Sequence, residues 1–143
     1  MFSMFLTAMI KAAESSGFLN LQLMNFQYIP KEVISMKKLK RLRLDCNRNL
    51  DLRLGIPEEF KNLTLLSLKS CKLTYIPESI DNLLKIEKLD LQENLIDFFP
   101  ISFSKLKTLI VLGKSCLSHF FVICHFDQSC LLSEKRILIL YVF

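Results

Sequence analysis

The chain has no tryptophan, three glycines, four prolines and two histidines in 143 residues. So few glycines leave no glycine-rich loop to cradle a phosphate. Two histidines, without a serine–histidine–carboxylate or paired-carboxylate arrangement, leave no catalytic site to assign, so the chain is expected not to be an enzyme and to need no cofactor. The five cysteines, Cys46, Cys71, Cys116, Cys124 and Cys130, are odd in number and irregular in spacing, which is not a disulfide framework. Free thiols suit a reducing compartment, and a cytoplasmic location is expected. The sequence also lacks an uncharged apolar run of roughly 18 residues, the length a membrane helix needs. The nearest stretch, Ser115 to Phe126, is too short and holds His119 and His125. The apolar start, Met1 to Ile10, lacks the basic residues that open a secretory signal. Net charge is +5 and scattered, a weak preference for acidic partners. No basic stripe is interleaved with aromatics, so nucleic acid is not an expected partner.

What the sequence does have is a repeat. Leu63, Leu66, Leu68, Cys71, Leu73, Ile76, Pro77, Ile80 and Leu83 form its clearest copy. The next is Ile86, Leu89, Leu91, Asn94, Ile96, Phe99, Pro100, Phe103 and Leu106. An earlier copy runs through Leu19, Leu21, Phe26, Ile29, Pro30, Val33 and Met36, with Ser16 and Met24 in place of the first leucine and the asparagine. Leu39, Leu42, Leu44 and Asn47 open the copy between. A further copy begins at Leu109 and Leu112 and then departs, with Lys114 where an inward leucine is needed.

Leu-x-Leu alternation is strand periodicity, so Leu42/Leu44, Leu66/Leu68 and Leu89/Leu91 each point to one side. One strand cannot bury that side alone; stacked copies make a parallel sheet over a continuous core. The asparagine or cysteine after each strand can bond to backbone groups of adjacent turns. Proline fits the first position of a helical turn, where its missing N–H costs nothing. Ile80 and Leu83, three apart, then close the core from behind. The copy from Leu39 is irregular: four extra residues lie between Asn47 and Pro57, and Leu66 arrives three residues early. A bulged loop is expected around Arg48 to Gly55.

These residues resemble the leucine-rich-repeat family over roughly residues 16 to 112. The period with Ile-Pro is similar to the 23-residue intracellular class that includes the Ras-suppressor-like scaffold proteins. The resemblance implies an α/β solenoid: a curved parallel sheet on the concave face, short helices or 3-10 turns on the convex face. It also implies a protein partner, of unknown identity, held on the concave side, and so a protein–protein interaction module, with a signalling scaffold as its narrower form.

Carried over position by position, the outward residues of the concave strands are Asn20 and Gln22; Arg41, Arg43 and Asp45; Leu65, Ser67 and Lys69; and Lys88, Asp90, Gln92 and Glu93. The first charged strand is basic and the last is mixed and acidic. Singly, each reads as a solvated surface residue; together they form a wide exposed face suited to binding. Cys116, His119, Cys124, His125 and Cys130 could supply zinc ligands, but no paired Cys-x-x-Cys occurs, and small hydrophobic cysteines are the expected reading, with no metal. Asn62-Leu-Thr64 is a glycosylation sequon that matters only on the secretory route.

Three regions follow: residues 1–15, a capping helix or the remnant of a preceding repeat; 16–114, about four repeats; and 115–143, an apolar tail outside the repeat grammar. The spacing of Phe2, Phe5, Leu6, Met9 and Ile10 predicts a helix over residues 2 to 14. The tail closes on Ile137-Leu-Ile-Leu-Tyr-Val-Phe143 with no interrupting charge. It reads as a departure from the native repeat, which makes a truncated or alternatively spliced product of a larger repeat protein the second functional reading. A membrane-associated form, through contact of this tail, is the third.

Overall fold

A computed structural model of the chain describes residues 2–97, 99–109 and 111–113. Five short strands form: β1 (Phe18–Asn20), β2 (Arg41–Arg43), β3 (Leu65–Ser67), β4 (Lys88–Asp90) and β5 (Val111–Gly113). They pair in chain order and all in parallel. The register sets Leu19 beside Leu42, Leu42 beside Leu66, Leu66 beside Leu89 and Leu89 beside Leu112, steps of 23, 24, 23 and 23 residues. The copy that opens at Leu109 therefore still adds a strand. The zinc-ligand candidates and the tail, residues 115–143, lie outside the described residues.

Pairing continues past the three-residue strands. The N–H of Leu44 donates to the Ser67 carbonyl and that of Cys46 to the Lys69 carbonyl, both at 2.8 Å. One coil on, Leu68 and Ser70 donate to Asp90 and Gln92 at 2.9 Å. Beneath this sheet the expected leucines line up: Leu42, Leu44, Leu66, Leu68, Leu89 and Leu91 are at most 1% exposed. Each such burial contributes about 2 kcal/mol relative to exposure.

The back of the core is closed by the third residue after each proline: Val33, Phe60, Ile80 and Phe103, all buried. The return segments are a short helix, α2 (Lys31–Ile34), in the first coil, and 3-10 turns at Glu58–Asn62, Glu78–Asn82 and Ile101–Lys105 in the next three; a longer helix, α1, precedes β1. Each proline stands one residue earlier than expected. It is the cap of its turn, with φ between −59° and −70° and an extended ψ, and its carbonyl accepts the N–H three residues on at 3.0–3.1 Å. Its missing donor is still without cost there.

α1 spans Phe2–Ser16, two residues beyond the expected end. It lays Ala13 into the core and packs Leu6, Met9 and Ile10 partly against it. Gly17, at φ +65°, ends the helix by donating to the Ala13 carbonyl at 2.8 Å.

The irregular second coil does contain a loop between Asn47 and Pro57, but three of its four apolar side chains turn inward: Leu50, Leu52 and Ile56 are 6%, 2% and 3% exposed, while Leu54 stands outward at 83%. Neighbouring coils hold it from both sides. The Asp51 N–H donates to the Gln27 carbonyl at 2.8 Å, and the Ile56 N–H to the Ser79 hydroxyl at 2.7 Å. The three residues lost before β3 have a simple consequence. Leu63 lies six residues after Pro57 and three before Leu66, so it occupies at once the positions that Leu83 and Ile86 fill separately in the next coil.

Candidate partner-binding face

The register arranges the outward side chains of the strands in rows. The first row is Phe18, Arg41, Leu65 and Lys88; the second is Asn20, Arg43, Ser67 and Asp90. Past the strands, Gln22, Asp45, Lys69 and Gln92 form a third, two residues farther along each coil.

Two buried asparagines hold the turns behind these rows. The Asn47 amide donates to the carbonyls of Leu21 and Leu44 at 2.9 and 2.7 Å and accepts from the Phe26 N–H at 3.0 Å. Asn94 donates to Leu68 and Leu91 at 2.8 and 3.0 Å and accepts from the N–H groups of Cys71 and Leu73, both at 3.0 Å. Between them Cys71 donates its thiol to the Leu44 carbonyl at 3.2 Å. Burial pushes this thiol up to about 11, which keeps it protonated and able to donate at neutral pH.

The expected site residues fall into two groups. Arg41, Arg43 and Lys88 are exposed and meet no carboxylate among the described residues. The Arg41 guanidinium lies 5.1 Å from the centre of the Phe18 ring, a cation–π contact between neighbouring coils. Other polar groups of the rows are engaged. Asp45 accepts from the Ser67 hydroxyl at 2.5 Å and from the Lys69 N–H at 3.0 Å. Asp90 accepts from the Gln92 N–H at 3.0 Å, and Asn20 from the Gln22 N–H at 3.2 Å. Lys69 pairs with Glu93 at 3.0 Å.

Two expected residues stand elsewhere than the strand pattern puts them. Ser67 is 4% exposed, buried with its hydroxyl given to Asp45, so it offers no polar group outward. Glu93 lies in the turn past β4 at φ +56°, where its carboxylate takes the Ser70 hydroxyl at 2.5 Å. The Ser70 and Lys69 contacts hold Glu93 below the usual carboxylate range, and Glu93 in turn raises Lys69. Phe18 was missed by the outward list, although it stands one residue before an inward leucine, as Arg41, Leu65 and Lys88 do.

Among the described residues no group of three or more potential ligands could hold a metal, and no helix is long and apolar enough to cross a membrane. Parallel coils, a leucine core and a turn asparagine or cysteine at positions 47, 71 and 94 that ties its coil to the one before define a leucine-rich-repeat solenoid. Residues 37–96 match the family model for the leucine-rich repeat, and this stretch of the chain is built of leucine-rich repeats. Among solved structures it is similar to a leucine-rich-repeat protein of Leptospira interrogans, with 24% identity over 73% of this chain and a TM-score of 0.61, a likeness of fold. The chain spans 28% of the length of that protein. No curated protein matches it.

Proposed function

We propose that the chain is a non-catalytic module that holds an acidic surface of a partner protein on its concave sheet, in the manner of an intracellular signalling scaffold. One observation carries this reading. Arg41, Arg43 and Lys88 stand exposed on an ordered sheet while the carboxylates around them are occupied by neighbours. The face thus presents positive charge without ordering loops first, which limits the entropic cost of association. Complementary charge on the partner would raise the association rate and fix orientation.

Replacing Arg41 and Arg43 together by Glu tests it. Both are surface residues, so thermal unfolding stays close to that of the parent. Capture of the partners that the parent retains from cell extract falls by about tenfold. Equal capture by both chains rejects the reading.

The cytoplasmic part of the proposal is supported by Cys46 and Cys71, both free thiols. It is checked at Asn62, whose side chain donates to the Lys37 carbonyl at 3.4 Å. An endoglycosidase leaves the gel mobility of the cellular protein unchanged; a shift would place the chain on the secretory route.

A further inference from the structure

The turns that lead into the strands form one edge of the sheet, and their backbone is bonded in a regular way. The Gly17 carbonyl accepts from the N–H groups of Lys40 and Arg41, that of Lys40 from Thr64 and Leu65, and that of Thr64 from Glu87 and Lys88, at 2.8–3.2 Å. With these carbonyls satisfied by the next coil, the side chains of the edge face outward into a groove of about 590 Å³. The groove crosses four successive coils, from Gly17 before β1 to Lys85 before β4.

Lys37, Lys38, Lys40 and Lys85 line it, with Asn62 and Thr64 between them. All four lysines are exposed and none meets a carboxylate among the described residues. Glu14, at the α1 end, is the single acidic side chain of the lining. Elsewhere Arg53, Lys69 and Lys105 do meet acids. Four unpaired cations thus stand along one groove, and their summed field favours an anion that can touch several at once.

Size and chemistry narrow the occupant. Four coils about 4.8 Å apart span about 14 Å, the length of four or five extended residues. Ammonium groups act as point charges and suit carboxylates spread along a chain, whereas bidentate recognition of one phosphate favours arginine. No aromatic side chain lines the groove, so nucleic-acid bases have nothing to stack on. The Asn62 and Thr64 side chains donate to the Lys37 and Lys40 carbonyls at 3.4 and 3.3 Å, which leaves their oxygens as acceptors between the lysines for the N–H groups of a peptide backbone.

We propose that this groove binds an extended acidic peptide segment of about five residues, its carboxylates set against Lys37, Lys38, Lys40 and Lys85, on a surface separate from the concave rows. The test titrates the full chain into a fluorescein-labelled Glu-Asp-Glu-Asp-Glu peptide, read by anisotropy, with a Gln-Asn-Gln-Asn-Gln peptide as the neutral probe. The acidic peptide binds and the neutral one does not. The variant Lys37→Glu/Lys40→Glu/Lys85→Glu weakens the acidic peptide by about tenfold, while Arg43→Glu/Lys88→Glu stays within about twofold of the parent. The Lys→Gln triple variant shifts the same way by a smaller factor, with an unfolding curve that overlays the parent. Failure of the parent to bind, equal binding of the neutral peptide, or unchanged binding by both lysine variants overturns the proposal. So does displacement of the peptide by phosphatidylserine vesicles or oligouridine at lower concentration than unlabelled peptide. Because the concave reading depends on Arg41 and Arg43, loss of partner capture with peptide binding intact, or the reverse, tells the two surfaces apart.

Discussion

Asn94 satisfies more backbone than any strand residue near it. Its amide serves the Leu68 and Leu91 carbonyls and the N–H groups of Cys71 and Leu73 at 2.8–3.0 Å, in a position 4% exposed. Asn94→Ala leaves these groups without a partner in a place water does not readily reach. The expected loss is about 3 kcal/mol in urea unfolding, since each stranded group costs about 1 kcal/mol or more. A loss near that of a surface substitution would show that water replaces the amide. Cys71 does the corresponding work with a weaker donor, and its thiol has a pH signature. Its value is raised from 9.0 to about 11 by burial, so its contribution is complete below pH 9 and is lost as pH rises through about 11. At neutral pH the folded thiol therefore reacts slowly with iodoacetamide. In a brief labelling followed by peptide mass analysis, the half-buried Cys46 is modified before Cys71. Equal labelling of the two would mean that the coil around Cys71 opens as easily as the turn at Cys46.

The irregular second coil shows how one element absorbs an insertion. Four residues gained before Pro57 and three lost after it leave β2 and β3 in register, because Leu50 and Leu52 turn into the core and Leu63 fills two positions. Gly55 makes the closing turn at φ +82°, and a Cβ there would stand 2.7 Å from the Ser79 hydroxyl that receives the Ile56 N–H. Gly55→Ala is expected to cost about 2 kcal/mol in denaturant unfolding, from the left-handed backbone and the displaced hydroxyl together. A cost below that of an ordinary loop substitution would mean that the loop shifts freely. Leu42, Leu66 and Leu89 were legible as inward residues because a period of two on a strand and a step near 23 between coils leave one solution. Ser67 and Glu93 were not. The burial of Ser67 depends on Asp45, 22 residues away, and Glu93 leaves the strand face because the chain turns left-handed there. That turn recurs at Leu23, Cys46, Ser70 and Glu93, with φ of 56–61°. None of the four is glycine, so no residue type announced it. The lysine edge was equally hidden, because charge that looks scattered along the chain is gathered only when the coils stack.

A stack of coils in which each touches mainly its neighbours should respond to damage locally. α1 is packed on β1, with Ala13 2% exposed in the core, and the first coil shares with it Leu19, Leu21 and Val33. Ala13→Glu puts a carboxylate into that contact, where an unpaired charge is costly enough to displace the helix rather than stay buried. The amides of Leu21 and Leu23, which donate to the Arg43 and Asp45 carbonyls at 2.8 and 2.9 Å, then report on the first coil. Those of Leu68 and Ser70, which donate to Asp90 and Gln92, report on the coils two and three steps away. The expected result of native-state hydrogen exchange is a fall in protection of about tenfold or more at Leu21 and Leu23, with little change at Leu68 and Ser70. Arg41 sits between the two sets, above Phe18 of β1. Fraying of β1 would therefore release its guanidinium and weaken partner capture, even though no face residue has changed. Equal loss of protection at all four amides would mean that the coils open as one unit. The concave face would then depend on the whole stack rather than on its neighbouring turns.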